Sequence, residues 1–151
     1  MPVERLKKYL DKEDVRYVSI THSKAYKAYE VAASAHIPNQ ELAKTVMLKI
    51  DGKMAMMIVP ASSRVDLERL KEVIGSGNVE LAPEEEFKDA FPDCEVGAMP
   101  PFGNLYGMQV YVSQALREDD EIAFNAGSHT ELIRLAYQDY ERLVQPITIP
   151  L

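Results

Sequence analysis

Hydrophobic residues recur along the chain in short runs whose spacing predicts strands and helices. Two apolar runs, 45–50 and 53–60, are joined by Asp51-Gly52, a dipeptide that favours a two-residue β-hairpin turn. The second run is apolar on both faces, which is typical of a central strand, and its methionines are interpreted as core filling. The pattern therefore predicts an antiparallel pair in the middle of a sheet.

The other segments follow either the two-residue period of strands or the 3.6-residue period of helices. Strands are predicted at 16–21 (with Val18 and Ile20 on one side), 78–81, 109–112, 121–125 and 130–135. Helices are predicted at 2–14, 26–35, 65–74 (capped by Ser62 or Ser63 and ended by Gly75), from 83 onward, and at 136–143. Because the elements interleave while the hairpin requires antiparallel pairing, we expect a mixed-sheet α+β domain rather than a doubly wound one.

Length, charge and cysteine content narrow the class of protein. The 151 residues are enough for one domain, 1–151, with its own core. The lone cysteine excludes an internal disulfide, and no apolar run could span a membrane or serve as a signal peptide, so we expect a cytoplasmic protein without membrane contact. A net charge of −7 argues against gripping long duplex DNA but allows a limited contact with one end of a nucleic acid.

Most standard catalytic and cofactor motifs are missing. The three histidines, His22, His36 and His129, are widely separated and have no cysteine pair to complete a zinc site, so no metal is predicted. Phosphate-binding and dinucleotide-binding glycine motifs are absent, and no cofactor is expected. Cys94 lies between two acidic residues, which should raise the pKa of its thiol and make it a poor nucleophile.

The segment 96–107 combines three glycines and two adjacent prolines with several apolar side chains. This mixture suits neither a helix nor a central strand, and it predicts a rigid, partly buried loop whose backbone groups point in fixed directions. Such a loop can recognise a small ligand through its backbone, or it can be purely structural. Lys44 and the run 125–130 are the other two candidate site segments.

Three motifs in order resemble the YbaK/prolyl-tRNA-synthetase-associated editing family: Lys44 opening a strand, the Gly97-x-x-x-Pro101 loop, and Gly127-Ser128-His129 after a strand. The resemblance covers nearly the whole chain and is closest to the free-standing relatives of the editing insertion. It implies a mixed, strongly curved β-sheet, a partly open barrel flanked by helices, with an open pocket at one side.

The resemblance also implies an activity, hydrolysis of the ester that joins a wrongly attached amino acid to the 3′ end of a tRNA. It makes the acceptor end of mischarged tRNA the partner, and it leaves open whether a synthetase supplies tRNA specificity. The residues assigned to the chemistry are Lys44, Gly97, Gly127 and His129. Those assigned to substrate binding are His22, Ala98, Met99, Pro100, Pro101, Phe102 and Ser128.

The chemistry of an aminoacyl ester fits such a sparse site. The ester is labile, so backbone donors for the oxyanion and the substrate's own ribose hydroxyl could replace a covalent nucleophile. Lys44 would hold a phosphate or ribose, or add positive charge near the oxyanion. The alternatives are an exposed strand-end role for Lys44, local hydrogen bonding by His129, packing by Phe102, and a non-catalytic tRNA- or nucleotide-binding module. A DNA-binding protein is a weaker alternative because of the net charge.

Overall fold

Two β-sheets form the framework of the computed structural model, which describes residues 4–21, 40–75, 77–95 and 97–151. The larger sheet has five strands in the spatial order Val79–Leu81 (β4), Ala43–Ile50 (β2), Lys53–Pro60 (β3), Gln109–Ser113 (β5) and Ile147–Ile149 (β8). The smaller sheet has three, in the order Tyr17–Thr21 (β1), Glu131–Ala136 (β7) and Glu121–Asn125 (β6). Pairing is antiparallel from β4 to β3 and parallel from β3 to β8, which confirms a mixed α+β fold.

Helices connect and cover these strands. They are Glu4–Lys12 (α1), Leu67–Ile74 (α2), Glu84–Phe87 (α3), Gln114–Arg117 (α4) and Tyr137–Val144 (α5), with 3₁₀ turns at Lys88–Ala90 and Gly103–Tyr106. Among the residues described, no helix has the length and apolar character needed to cross a membrane.

The hairpin predicted from Asp51-Gly52 is present. Asp51 and Gly52 have φ values of 51° and 83°, the pair of positive φ angles that a type I′ turn requires. The turn sets the register in which Lys44 lies opposite Val59 on β3. This register is what places the start of β2 beside the candidate site.

Two apolar cores occupy opposite faces of the larger sheet. The main core lies between the sheets, where Met56 and Ile58 of β3 share one hydrophobic cluster with Phe124 and Ile133 of the smaller sheet. The second core lies under α2 and includes Met57 and Val59, the alternate residues of β3. β3 is thus buried on both faces, as predicted for a central strand.

Two local features were not specified correctly by the sequence pattern alone. The side of β1 that carries Val18 faces outward, with Val18 57% exposed, because Val18 lies opposite Arg134 on β7 while Tyr17 and Ser19 pair with core residues of that strand. Helix α2 is capped by Asp66 and not by a serine: the Asp66 carboxylate accepts hydrogen bonds from the backbone amides of Glu68 and Arg69 in the first turn.

The remaining differences concern elements that were not predicted and predictions that the described residues do not test. The segments α4 and β8 were not predicted, since both are very short and β8 lies between two prolines. The predicted helix 26–35 lies outside the described residues. The described strands form separate sheets that are neither closed nor strongly curled, so the strongly curved, partly open barrel stays a prediction.

Candidate active site

Two loops that are distant in sequence are joined backbone to backbone. We call residues 97–102 the Gly-Pro loop and residues 126–130 the histidine loop. The Glu95 amide donates to the Gly127 carbonyl at 2.7 Å, the Gly127 amide donates to the Ala98 carbonyl at 2.9 Å, and the Ala98 amide donates to the Glu95 carbonyl at 3.0 Å. Three hydrogen bonds of ordinary length therefore hold Gly97 and Gly127 at one place.

Gly97 lies against the imidazole of His129. Its φ of +87° is one that residues with a β-carbon rarely adopt, and a β-carbon added there would lie 3.5 Å from His129 Cε1 and 3.8 Å from Nε2. The histidine is only 5% exposed, so its position is set by packing. Glycine at 97 keeps open the space beside the Cε1–Nε2 edge of the ring.

Glu95 is the acidic residue of this site, and sequence reasoning considered it only as a neighbour of Cys94. One oxygen of its carboxylate, Oε2, accepts a hydrogen bond from the His129 backbone amide at 2.9 Å and lies 4.0 Å from His129 Nε2. The side chain is 47% exposed. The signal available in the sequence was an acidic residue two positions before Gly97.

The start of β2 is attached to the same loops. Thr45 Oγ1 donates a hydrogen bond to the Met99 carbonyl at 3.1 Å. One residue before β2, Leu42 pairs in parallel with Ala123 of β6. Lys44 and Asn125 each follow that bridge by two positions, so the two side chains leave the backbone on the same side.

This shared side faces away from the main core. Ala43 and Phe124, the residues that alternate with Lys44 and Asn125, both belong to the main hydrophobic cluster. Lys44 and Asn125 therefore share the opposite face, next to the end of β6 from which the histidine loop begins. The register places Lys44 on the same face as Asn125, and the approach of Lys44 to the histidine loop stays a prediction.

Lys44 is half-buried, and two effects lower the pKa of its ammonium group. The larger is burial, which disfavours the charged form, and the second is the nearby positive charge of Arg64. Within the described part of the chain, no carboxylate lies within ion-pair distance of the ammonium. A cation that is partly desolvated and next to a second cation suits an anionic ligand.

Asn125 is a second polar group that sequence reasoning did not single out. Its Oδ1 atom is buried and finds no hydrogen-bond partner among the described residues. Buried amide oxygens are normally paired, and an unpaired one is a common feature of ligand sites. A polar residue directly after the apolar run 122–124 was the signal in the sequence.

The remaining predicted substrate-binding residues mainly support the loop. Ala98, Met99, Pro100 and Pro101 are buried, and Phe102 is fully buried, with its ring centroid 5.4 Å from those of Phe124 and Tyr140. The buried ring of Phe102 fits the alternative of packing. Ser128 Oγ is 2.8 Å from Thr130 Oγ1 and accepts from the Thr130 amide, which stabilises the histidine loop. His22 lies outside the described residues.

Cys94 is close to the site, but its thiol is poorly suited to chemistry. Burial is the main reason that the pKa of the thiol is raised to about 11, and Asp93 adds a smaller effect. The sequence predicted the direction but attributed it to the acidic neighbours. The thiolate, which is the reactive form, is therefore scarce at neutral pH.

Comparison with known proteins gives a consistent answer. Residues 22–143 match the family described as the aminoacyl-tRNA editing domain. The chain is 30% identical over 148 residues to the multifunctional Ser/Thr-tRNA deacylase ProXp-y of Escherichia coli (strain K12), a match that covers 95% of this chain and 88% of that protein. It is 31% identical over 87 residues to the proline–tRNA ligase of Bacillus mycoides (strain KBAB4), covering 58% of this chain and 15% of the ligase.

Solved structures agree at the level of the fold. A structure described as a candidate trans-editing enzyme for prolyl-tRNA synthetase superposes with a TM-score of 0.81 at 19% identity, covering 97% of this chain and 94% of that one. A second, described as hypothetical protein APE2540, superposes with a TM-score of 0.84 at 17% identity, covering 96% and 97%. From the motifs, the joined loops and these matches we conclude that the chain belongs to the aminoacyl-tRNA editing domain family.

Proposed function

We propose that this protein hydrolyses the ester bond of mischarged aminoacyl-tRNA, releasing the amino acid and leaving a free 3′ end on the tRNA. The observation that supports this best is the direct connection of the Gly-Pro loop to the histidine loop beside Gly97 and His129. The arrangement offers a backbone donor, an imidazole and a carboxylate in one place. Membership of the editing family supports the same reaction.

The oxyanion donor is assigned to the Gly97 amide. The Gly127 amide is already committed to the Ala98 carbonyl, whereas the Gly97 amide donates to Met99 Sδ at 3.2 Å. A thioether sulfur is a weak acceptor, so a developing oxyanion can displace it. One well-placed donor of this kind contributes about 10²–10³ in rate.

Lys44 is assigned to the acceptor end of the tRNA. Its ammonium has a neighbouring cation and no carboxylate within ion-pair distance among the described residues, so a phosphate of the terminal nucleotides would relieve the electrostatic repulsion from Arg64. Asn125, on the same face, can donate to or accept from a ribose hydroxyl. Together they would hold the ester carbonyl beside Gly97.

The reaction requires only water and the substrate. Water attacks the ester carbonyl carbon, a new carbon–oxygen bond forms, and the carbonyl oxygen takes up negative charge beside the Gly97 amide. The ester bond then breaks, and the proton released by the water passes to the departing ribose oxygen. The neighbouring ribose hydroxyl orients the water, as an intramolecular group can do at high effective concentration.

The test is a deacylation assay on a panel of mischarged tRNAs, with seryl- and threonyl-tRNA included because a relative's name specifies them. The native protein, Lys44→Ala and the control Lys53→Ala are compared; Lys53 is an exposed lysine at the start of β3. We expect Lys44→Ala to lower kcat/KM about 10²-fold, the cost of losing one charged contact to the tRNA phosphate. Lys53→Ala should keep the native rate.

Stability separates a functional lysine from a structural one. Because the folded state lowers the pKa of Lys44, its charged form is disfavoured in the fold, and removing it should not destabilise the protein at neutral pH. Loss of activity with an unchanged Tm supports the proposal. Equal deacylation by Lys44→Ala and the native protein would refute the catalytic role and favour a non-catalytic tRNA-binding module.

A further inference from the structure

We propose that Glu95 recognises the α-ammonium group of the aminoacyl substrate and so selects esters that carry a free amino group. This inference rests on the proposed deacylase function. It concerns a residue that the sequence motifs did not assign to the site.

The position of Glu95 is fixed at the junction of the two loops. Its backbone amide and carbonyl bond to Gly127 and Ala98, and its carboxylate accepts from the His129 amide. The first two contacts fix the backbone of Glu95, and the third holds the carboxylate itself. A carboxylate held this firmly loses less conformational entropy when it binds a cation than a mobile surface residue does.

The charge of Glu95 lies next to the reacting position. Oε2 is 4.0 Å from His129 Nε2, and the same edge of that imidazole faces the open space at Gly97. In an aminoacyl ester the ammonium is attached to the carbon beside the carbonyl. A carbonyl placed at the Gly97 amide therefore brings its ammonium within reach of the carboxylate.

The carboxylate also has capacity for a ligand. Only Oε2 is engaged by the His129 amide; Oε1 accepts no hydrogen bond from the described residues, and the side chain is 47% exposed. An ionised carboxylate can accept about four hydrogen bonds, so an ammonium can bind without breaking the contact to His129.

The experiment compares two substrates that differ in charge at the amino group. Hydrolysis of an aminoacyl-tRNA and of its N-acetyl derivative is measured with native protein, Glu95→Gln and the control Asp93→Asn. Acetylation removes the positive charge and leaves the ester intact. Glutamine keeps an oxygen for the His129 amide but removes the negative charge, while Asp93 is an exposed acid two residues away.

We expect the native protein to prefer the free-amino substrate, and Glu95→Gln to reduce that preference about threefold to tenfold, as for a partly exposed charge pair. The change should appear in KM, because the ammonium is bound equally in the ground state and the transition state. Asp93→Asn should keep the native preference.

The two substrates are hydrolysed by the same folded molecules, so their ratio is insensitive to a fall in stability. A preference that is unchanged in Glu95→Gln, or an equal fall in the rates of both substrates, overturns the role of Glu95 alone. Absence of hydrolysis of any panel member by the native protein overturns the deacylase function and this inference with it.

Discussion

Gly97 shows how one residue can be required for two reasons. Its φ of +87° requires glycine for the backbone, and its missing side chain leaves space at the imidazole of His129. Gly52 in the hairpin has nearly the same φ, +83°, but nothing lies within 4 Å of a β-carbon added there. Comparing a substitution at Gly97 with one at Gly52 therefore separates the effect of backbone strain from the effect of a side chain that fills the site.

We expect Gly97→Ala and Gly52→Ala to destabilise the protein similarly, by about 1–2 kcal/mol each, which is the cost of placing an L-residue in the left-handed region. Only Gly97→Ala should also lower kcat/KM, by about tenfold or more, because its methyl group fills the approach to the Gly97 amide. Urea unfolding and the deacylation assay measure the two effects. Equal kcat/KM values for the two variants would contradict the assignment of Gly97.

At the scale of elements, helix α5 holds the Gly-Pro loop in place from behind. Tyr140 is fully buried, and its hydroxyl donates to the Pro101 carbonyl at 2.8 Å. Its ring packs edge-on against Phe102 with the two ring planes at 88°. Strand β2 holds the other side of the loop through Thr45. The loop geometry is thus set by a helix and a strand, while the loop carries the backbone groups that we propose take part in the reaction.

Tyr140→Phe keeps the ring but removes the hydrogen bond and leaves the Pro101 carbonyl without it. We expect the free energy of unfolding to fall by about 1–3 kcal/mol, the cost of a buried polar group that loses its partner. Tyr17→Phe is the control, since the Tyr17 hydroxyl bonds to Asp11 at an exposed position and should contribute less. Equal losses in urea unfolding would contradict the expectation that the buried Tyr140 hydrogen bond contributes more than the exposed one of Tyr17.

At the scale of the whole molecule, the net charge of −7 includes the charge of Asp119, which lies shortly before β6, an edge strand of the smaller sheet. The Asp119 Oδ2 atom is buried and lacks a hydrogen-bond partner within the described ranges. Burial, followed by the charges of Glu41, Glu118 and Asp120, raises the pKa of Asp119. The folded state therefore binds the Asp119 proton more tightly than the unfolded state does.

The sign of the pH dependence follows from this raised pKa. The stability associated with protonated Asp119 is complete below its unfolded pKa and is lost as the pH rises through the folded pKa. We expect Asp119→Asn to stabilise the protein at pH 7 by about 0.5 kcal/mol or less, because the side chain is only partly buried and solvent screens its charge.

Thermal unfolding tests this expectation at pH 7 and at lower pH. The difference in Tm between Asp119→Asn and the native protein should shrink as the pH falls toward 4. Glu72→Gln, an exposed acid on α2, should show no such trend. A Tm difference that is independent of pH would contradict the electrostatic explanation.

The features that could be predicted from the sequence are those that depend on local chemistry. The Asp51-Gly52 turn, the strand β3 apolar on both faces, and the left-handed Gly75 after α2 each follow from the residues at that place. The three site motifs were also recognisable, because they lie at the ends of strands and in one loop. Glycine and proline restrict the backbone whatever surrounds them.

Tertiary structure alone decided which of those segments meet and which atoms remain available. No sequence pattern indicates that the Gly127 amide is committed to the Ala98 carbonyl while the Gly97 amide donates to a sulfur, or that Glu95 bonds to the His129 amide. The Gly127–Ala98 and Glu95–His129 contacts join positions more than 25 residues apart along the chain. They depend on how the two sheets pack around the main core. Burial of apolar surface drives that packing, and it is non-directional, so the local sequence does not specify which segments meet.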